Sequence, residues 1–202
     1  YRDLTAALSY CLWFGFHRRE LSTDLEALWS EDDDAVAALS VRTAFDCWLA
    51  TVNLPRGSEV IVSGINIPDM ARILEHHGLQ MVPVDVDLAT MEILADEVED
   101  AITPRTRMVL VAHLFGSRMD MDPVFEITRQ HPDILVVEDC AQAFDGCEGY
   151  RGDDRSDLSL FSFGAIKTAS ALGGALARVR DTDVRERMRT MMATYPAQGR
   201  GY

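Results

Sequence analysis

The sequence predicts an α/β fold: three layers, with a mostly parallel sheet held between helices. Three observations predict it. Apolar runs of strand length alternate with amphipathic helical stretches through most of the 202 residues. Several of those runs, Glu59–Val62 and Asp133–Asp139 among them, have the unbroken apolar character of strands buried on both faces. Finally, Thr43, Asp139, Gln142 and Lys167 all fall just after a strand or at the head of a helix. That is where open α/β sheets bind ligands.

Taken in order, residues 1–30 read as one or two short helices, with Ser22-Thr-Asp24 as a cap ahead of Leu25–Trp29. The acidic run Glu31–Asp34 reads as a solvated turn that favours the start of another helix. Ser40-Val-Arg-Thr43 heads an amphipathic helix from Ala44, and a hydroxyl there serves as a cap or as a phosphate ligand. Asn53–Gly57 is a turn and Glu59–Val62 a buried strand. Pro68–His77 is a helix with proline at its start and Gly78 as its stop, its His76-His77 pair facing solvent. Met81–Asp87 alternates like a strand, and Glu92–Ile102 is an acidic helix ending before Pro104. Arg107–Leu114 is a strand, Asp122–Gln130 a helix, Asp133–Asp139 a strand with Gln142 one helical turn beyond, and Leu158–Phe163 a strand. Asp183–Ala193 is a last helix, in which Met188, Met191 and Met192 read as packing residues.

Composition narrows the function classes. The formal net charge of −14 repels a phosphate backbone, so nucleic acid is not an expected partner. No stretch is apolar and long enough to span a bilayer as a helix. Cys11, Cys47, Cys140 and Cys147 show neither paired C-x-x-C nor histidines at ligand spacing. They read as buried free thiols in a cytoplasmic protein without a metal. There is no G-x-G-x-x-G after a strand and no G-x-x-x-x-G-K-[ST], which disfavours a nucleotide-binding domain of either kind.

The chemistry concentrates in two stretches. Leu158–Phe163 breaks at Gly164 and delivers Lys167, the sole lysine of the sequence, into a run of small residues. A lysine shielded from water loses basicity and becomes an amine able to condense with an aldehyde. Asp133–Asp139 ends in a carboxylate. A strand-end aspartate together with a later lysine suits pyridoxal phosphate: the lysine holds the aldehyde and the aspartate keeps the pyridine nitrogen protonated.

Glu138-Asp-Cys-Ala-Gln-Ala143, Phe161-Ser-Phe163 and Lys167 resemble the DegT/DnrJ/EryC1/StrS family of pyridoxal-phosphate-dependent sugar aminotransferases. Gly57–Ile61, Val82–Asp87, Ala101–Thr106 and His113–Gly116 extend the resemblance over about Thr43 to Gly174. The resemblance implies the large domain of the fold-type I, aspartate aminotransferase-like transferases. It implies Lys167 as the Schiff-base lysine, Asp139 as partner of the pyridine nitrogen, Gln142 on the phenolic oxygen, and Ser162 with Thr43 on the phosphate. Arg42 stands where a glycine is common, and Asn66 where an aromatic side chain stacks on the cofactor ring. Ala171-Leu-Gly-Gly174 replaces the usual Gly-Glu-Gly-Gly, so Leu172 is a second departure. His113 is expected near the site. A lysine at 167 argues against a related dehydratase branch that has histidine there.

Family members are much longer, so the resemblance implies a fragment. Its divisions are an N-terminal helical segment (1–38), a cofactor-binding large domain (39–182), and a helix (183–202) leading toward a C-terminal small domain. An amino acid donor, a keto or aldehyde sugar acceptor and a homodimer are the implied partners. The departures at Asn66 and Leu172 leave open a non-catalytic relative that keeps the fold as a binding or assembly module.

Overall fold

The computed structural model describes residues 5, 6, 9, 18–167 and 169–196. Its strands are β1 (Ala35–Ala38), β2 (Glu59–Ser63), β3 (Gln80–Val84), β4 (Thr106–Ala112), β5 (Leu135–Asp139), β6 (Leu158–Ser162) and β7 (Ala175–Val179). Its helices are α1 (Arg18–Trp29), α2 (Val41–Val52), α3 (Pro68–His76), α4 (Ala95–Ala101), α5 (Asp122–Thr128) and α6 (Thr182–Ala193). One sheet holds all seven strands in the order β1-β7-β6-β5-β4-β2-β3. β3, β2, β4, β5 and β6 run parallel, whereas β7 is antiparallel to both β6 and β1.

Alternation along the strands sorts side chains onto two cores. On one face Val60, Val62, Leu110, Val137 and Leu160 pack with Phe45 and Trp48 of α2, Met70 and Leu74 of α3 and Met188 of α6. On the other, Ile61, Val109, Val111 and Val136 meet Val98 of α4 and Val124 and Ile127 of α5. This is the three-layer architecture expected. Met188 is fully buried and Met192 nearly so, in the packing role read from the sequence.

Several local expectations are corrected. Helix α1 runs straight through Ser22–Asp24, so that triplet is helix interior and not a cap. Residues 35–38, expected within a helical segment, are strand β1, paired with β7 from Ala35 opposite Arg178 to Ala38 opposite Ala175. Strand β7 itself was not read from the sequence. β1 belongs to the same sheet as the strands that follow, and α6 covers its core. His77 does not face solvent; its ring lies 2.9 Å from Asp46 and ties the end of α3 to α2. Cys47 and Cys140 are buried free thiols, but Cys147 is exposed.

Candidate active site

Two strand pairings and two hydrogen bonds bring the head of α2 to the lysine loop. Ala38 lies opposite Ala175, which lies opposite Ser162, so the ends of β1 and β6 and the start of β7 share the carboxyl edge. Beyond them, the Gly174 N–H donates to the Leu39 carbonyl at 3.1 Å, and the Phe163 N–H donates to the Gly174 carbonyl at 3.0 Å. The next strand across is β5, with Asp139 opposite Leu160. Residues of the same parity share a sheet face, so Asp139 and Ser162 fall on the face that α2 covers, with Val137 and Leu160.

At the head of α2 the capping residue is Ser40, whose Oγ accepts the Thr43 N–H at 3.1 Å. The Ser40 and Thr43 hydroxyls are 3.0 Å apart, both part-buried. The sequence places Ser40 and Thr43 in one helix-head stretch and the resemblance gives the phosphate role to Thr43; the cap itself is Ser40. Arg42 turns away from this pair: its guanidinium lies 2.6 Å from Asp69 in the first turn of α3, and Asp69 also holds Arg72 at 2.9 Å. A cavity of about 630 Å³ opens next to the helix head, lined by Leu39, Thr43, Asp46, Ile73 and Tyr195 among others. Arg42, Asp69 and Arg72 line one side of that opening.

Asp139 is half-buried, and its Oδ1 accepts the Ala141 N–H at 3.0 Å. Burial pushes its carboxyl up, and the Ala141 amide and the Lys167 ammonium pull it back without cancelling that rise. Lys167 is thus close enough for its charge to be felt at Asp139. It is half-buried in the loop between β6 and β7, its N–H bonded to the Gly164 carbonyl at 3.0 Å. Gln142 lies in a turn rather than on a helix, and its Oε1 accepts the Phe115 N–H at 3.0 Å.

Asn66 departs from the stacking role. Its Oδ1 accepts the Ile67 N–H at 2.8 Å, and its Nδ2 is enclosed without a partner among the described residues. The apolar surface of that loop comes instead from Ile65 and Ile67.

Glu138 was passed over by the sequence reading. Facing away from Asp139, it is completely buried and takes five donors: His113 Nε2 at 2.8 Å, Tyr150 Oη and Ser156 Oγ at 2.5 Å, Ser159 Oγ at 3.2 Å and the Asp153 N–H at 2.8 Å. Burial alone would raise its carboxyl; the bonds from His113, Ser156 and Tyr150 outweigh that and hold it below the ordinary value. The Met119 N–H points at His113 Nδ1 from 3.3 Å, so Nδ1 is the acceptor and Nε2 carries the proton. His113 therefore braces the far side of the sheet and does not face the cleft. His113, Glu138 and Cys140 have the spacing of a metal site. The ring nitrogens of His113 and the carboxylate oxygens of Glu138 are all engaged within the protein. Burial beside the Glu138 and Asp139 carboxylates raises the Cys140 thiol, keeping it protonated.

Fold and edge together define the large domain of the fold-type I, aspartate aminotransferase-like transferases. DesV of S. venezuelae superposes with a TM-score of 0.78 at 28% identity, covering 100% of this chain and 55% of that one. The sugar aminotransferase CalS13 of Micromonospora echinospora gives 0.76 at 26%, covering 93% and 54%. The chain belongs to the DegT/DnrJ/EryC1/StrS aminotransferase family, whose sequence model matches residues 6–199. A GDP-perosamine synthase of Caulobacter vibrioides is 32% identical over 158 residues, 78% of this chain and 42% of that protein. The chain thus spans about half the length of the relatives it matches.

Proposed function

We propose that this chain forms the cofactor-binding part of a pyridoxal-phosphate-dependent aminotransferase. It would move an amino group from an amino acid to a keto or aldehyde carbon of a sugar or nucleotide-linked sugar. The observation that carries the reading is that the sole lysine follows β6, whose Leu160 lies opposite the half-buried strand-end carboxylate of Asp139, beside a hydroxyl-capped helix head. The sugar aminotransferases among its structural neighbours and the GDP-perosamine synthase relative support the acceptor class.

The donor set fits the group. Lys167 would hold the aldehyde, Asp139 the pyridine nitrogen, and Gln142 the phenolic oxygen. Ser40, Thr43 and Ser162 would take the phosphate, helped by the free N–H groups of the α2 N-terminus. Once bound, the cofactor supplies an electron sink for the substrate carbon. Lys167 then serves as the amine that takes a proton from one carbon and returns it to another. Asp139 keeps its charge against the pyridinium, and the protein walls keep water from competing.

A homodimer in the cytoplasm completes the reading. Leu39, Ile65, Ile67, Phe115, Ile166 and Leu172 are exposed apolar side chains, all on carboxyl-edge loops around the site. A second copy of the chain would cover them. The thiols of Cys47, Cys140 and Cys147 are free, in keeping with a reducing compartment. No helix among the described residues is long and apolar enough to cross a membrane.

The test is borohydride reduction of the intact protein with pyridoxal phosphate, followed by peptide mass analysis. The peptide holding Lys167 should gain the cofactor mass. An unlabelled Lys167 in folded, cofactor-saturated protein would instead favour a non-catalytic binding module.

A further inference from the structure

The Phe115 ring belongs to the exposed apolar set at the carboxyl edge, but its backbone has no assigned role and is unusual. It sits at φ 55°, ψ 26°, in the left-handed region that bulky residues seldom occupy, and Gly116 follows at φ 86°. Its ring is 70% exposed, so packing does not account for the conformation. With Gly116 it forms the centre of a turn closed by the Ser117 N–H on the Leu114 carbonyl at 2.9 Å, and within that turn the Phe115 N–H meets Gln142 Oε1 at 3.0 Å. The two loops are held in register beneath that contact. Ala112 lies opposite Asp139, and the His113 N–H donates to the Asp139 carbonyl at 3.0 Å.

A carboxamide has one accepting end and one donating end. With Oε1 held by an N–H, the free end of Gln142 is its N–H₂ group, which has no partner among the described residues. We infer that Phe115 is a positioning residue: its left-handed backbone orients the Gln142 amide so that a donor, and not a carbonyl, is offered to the ligand. The inference rests on the pyridoxal phosphate reading, in which the ligand atom beside Gln142 is a phenolate oxygen. A carbonyl turned toward that oxygen would repel it; an N–H₂ group binds it.

The test separates backbone from side chain by titrating the intact protein with pyridoxal phosphate and following the visible absorbance band. Phe115→Gly and Phe115→Asn remove the ring but favour the left-handed conformation, and should bind within about twofold of the parent. Phe115→Val also removes the ring, but its β-branch disfavours that conformation; affinity should fall about tenfold. If Val binds as well as Gly, or if all three lose affinity alike, the backbone role is wrong. A second pair checks the orientation. Gln142→Glu still gives Phe115 an acceptor but turns a negative oxygen toward the phenolate. It should bind more weakly than Gln142→Met, and the pH midpoint of its band should move up. Parent-like binding by Gln142→Glu would overturn the inference. Failure of the unsubstituted protein to bind pyridoxal phosphate would overturn the parent reading instead, so the two failures are distinct.

Discussion

Glu138 and Asp139 are neighbours on β5 and face opposite sides of the sheet, and their protonation is pushed in opposite directions. Burial would raise Glu138, but the bonds from His113, Ser156 and Tyr150 hold it below its ordinary range, whereas Asp139 is raised by burial with a single backbone donor on its carboxylate. One strand thus carries a carboxylate satisfied by the fold and another with a single backbone donor. The imbalance at Asp139 is a cost to the empty protein that a cationic partner would relieve.

The first prediction follows from that imbalance. Asp139→Asn should raise the melting temperature of the cofactor-free protein at pH 7, because it removes a charge the fold disfavours. A group whose folded pKa is raised stabilises the fold at low pH and loses that contribution as pH climbs through the raised value. The advantage of Asn should therefore shrink as pH falls toward the ordinary value of 3.8. With cofactor the same change should cut transamination by about 10- to 100-fold, the scale of a lost charged hydrogen bond. Melting curves across pH and a rate assay check both halves, and near-normal transamination would refute the role of Asp139.

Glu138→Gln should behave oppositely. A group with a depressed folded pKa stabilises above its unfolded pKa and loses that contribution as pH falls through the folded one. Glu138 thus stabilises at neutral pH and loses its effect below its ordinary value of 4.5. Breaking this buried network should cost about 3 kcal/mol at pH 7, with a smaller deficit in acid. Urea denaturation of the parent and the variant, at neutral and acid pH, measures it.

A pair of glycines gives a matched comparison. Gly57 and Gly152 both have positive φ, 83° and 89°. A Cβ on Gly57 meets nothing within 4 Å, whereas one on Gly152 would overlap the Ser159 side chain and lie 3.3 Å from Glu138 Oε1. Gly57→Ala should cost about 1 kcal/mol in backbone strain alone. Gly152→Ala should cost about 3 kcal/mol, because overpacking is added. Equal denaturation midpoints for the two would refute the packing argument.

Ser40→Ala removes the α2 cap and should cost about 1 kcal/mol of stability. Ser40→Asp should restore the cap to the Thr43 N–H. By placing a charge at the helix head it should also weaken pyridoxal phosphate binding. Thermal melts with and without the cofactor separate the two effects.

Much of this was legible in the residues. The parallel strands announce themselves because burial on both faces demands unbroken apolar runs, as in Val60–Val62 and Val109–Val111. Asp139 stood out because it ends such a run with a charge, and Lys167 because it is the sole lysine and closely follows another. β1 and β7 did not: Ala35-Val-Ala-Ala38 is four residues of small side chains, and only its pairing with Ala175–Arg178 makes it a strand. Glu138 was hidden for a related reason. Its partners come from 113 and from 150–159, and no spacing rule connects a carboxylate to donors that only the folded β5–β6 connection brings near.

The antiparallel pairing of β1 with β7 also sets an order of events during synthesis. β1 is made early, but its partner strand leaves the ribosome about 140 residues later, and such distant closures are slow. Until then the start of α2 has no fixed neighbour at the sheet edge. The head of α2 can be tied to the loop after β6 only once Gly174 has emerged, since Gly174 bonds both Leu39 and Phe163. A nascent chain halted before Ala175 would hold the parallel strands and Asp139 yet have no assembled helix-head site, so ligand binding would report the last strand to fold, not the first.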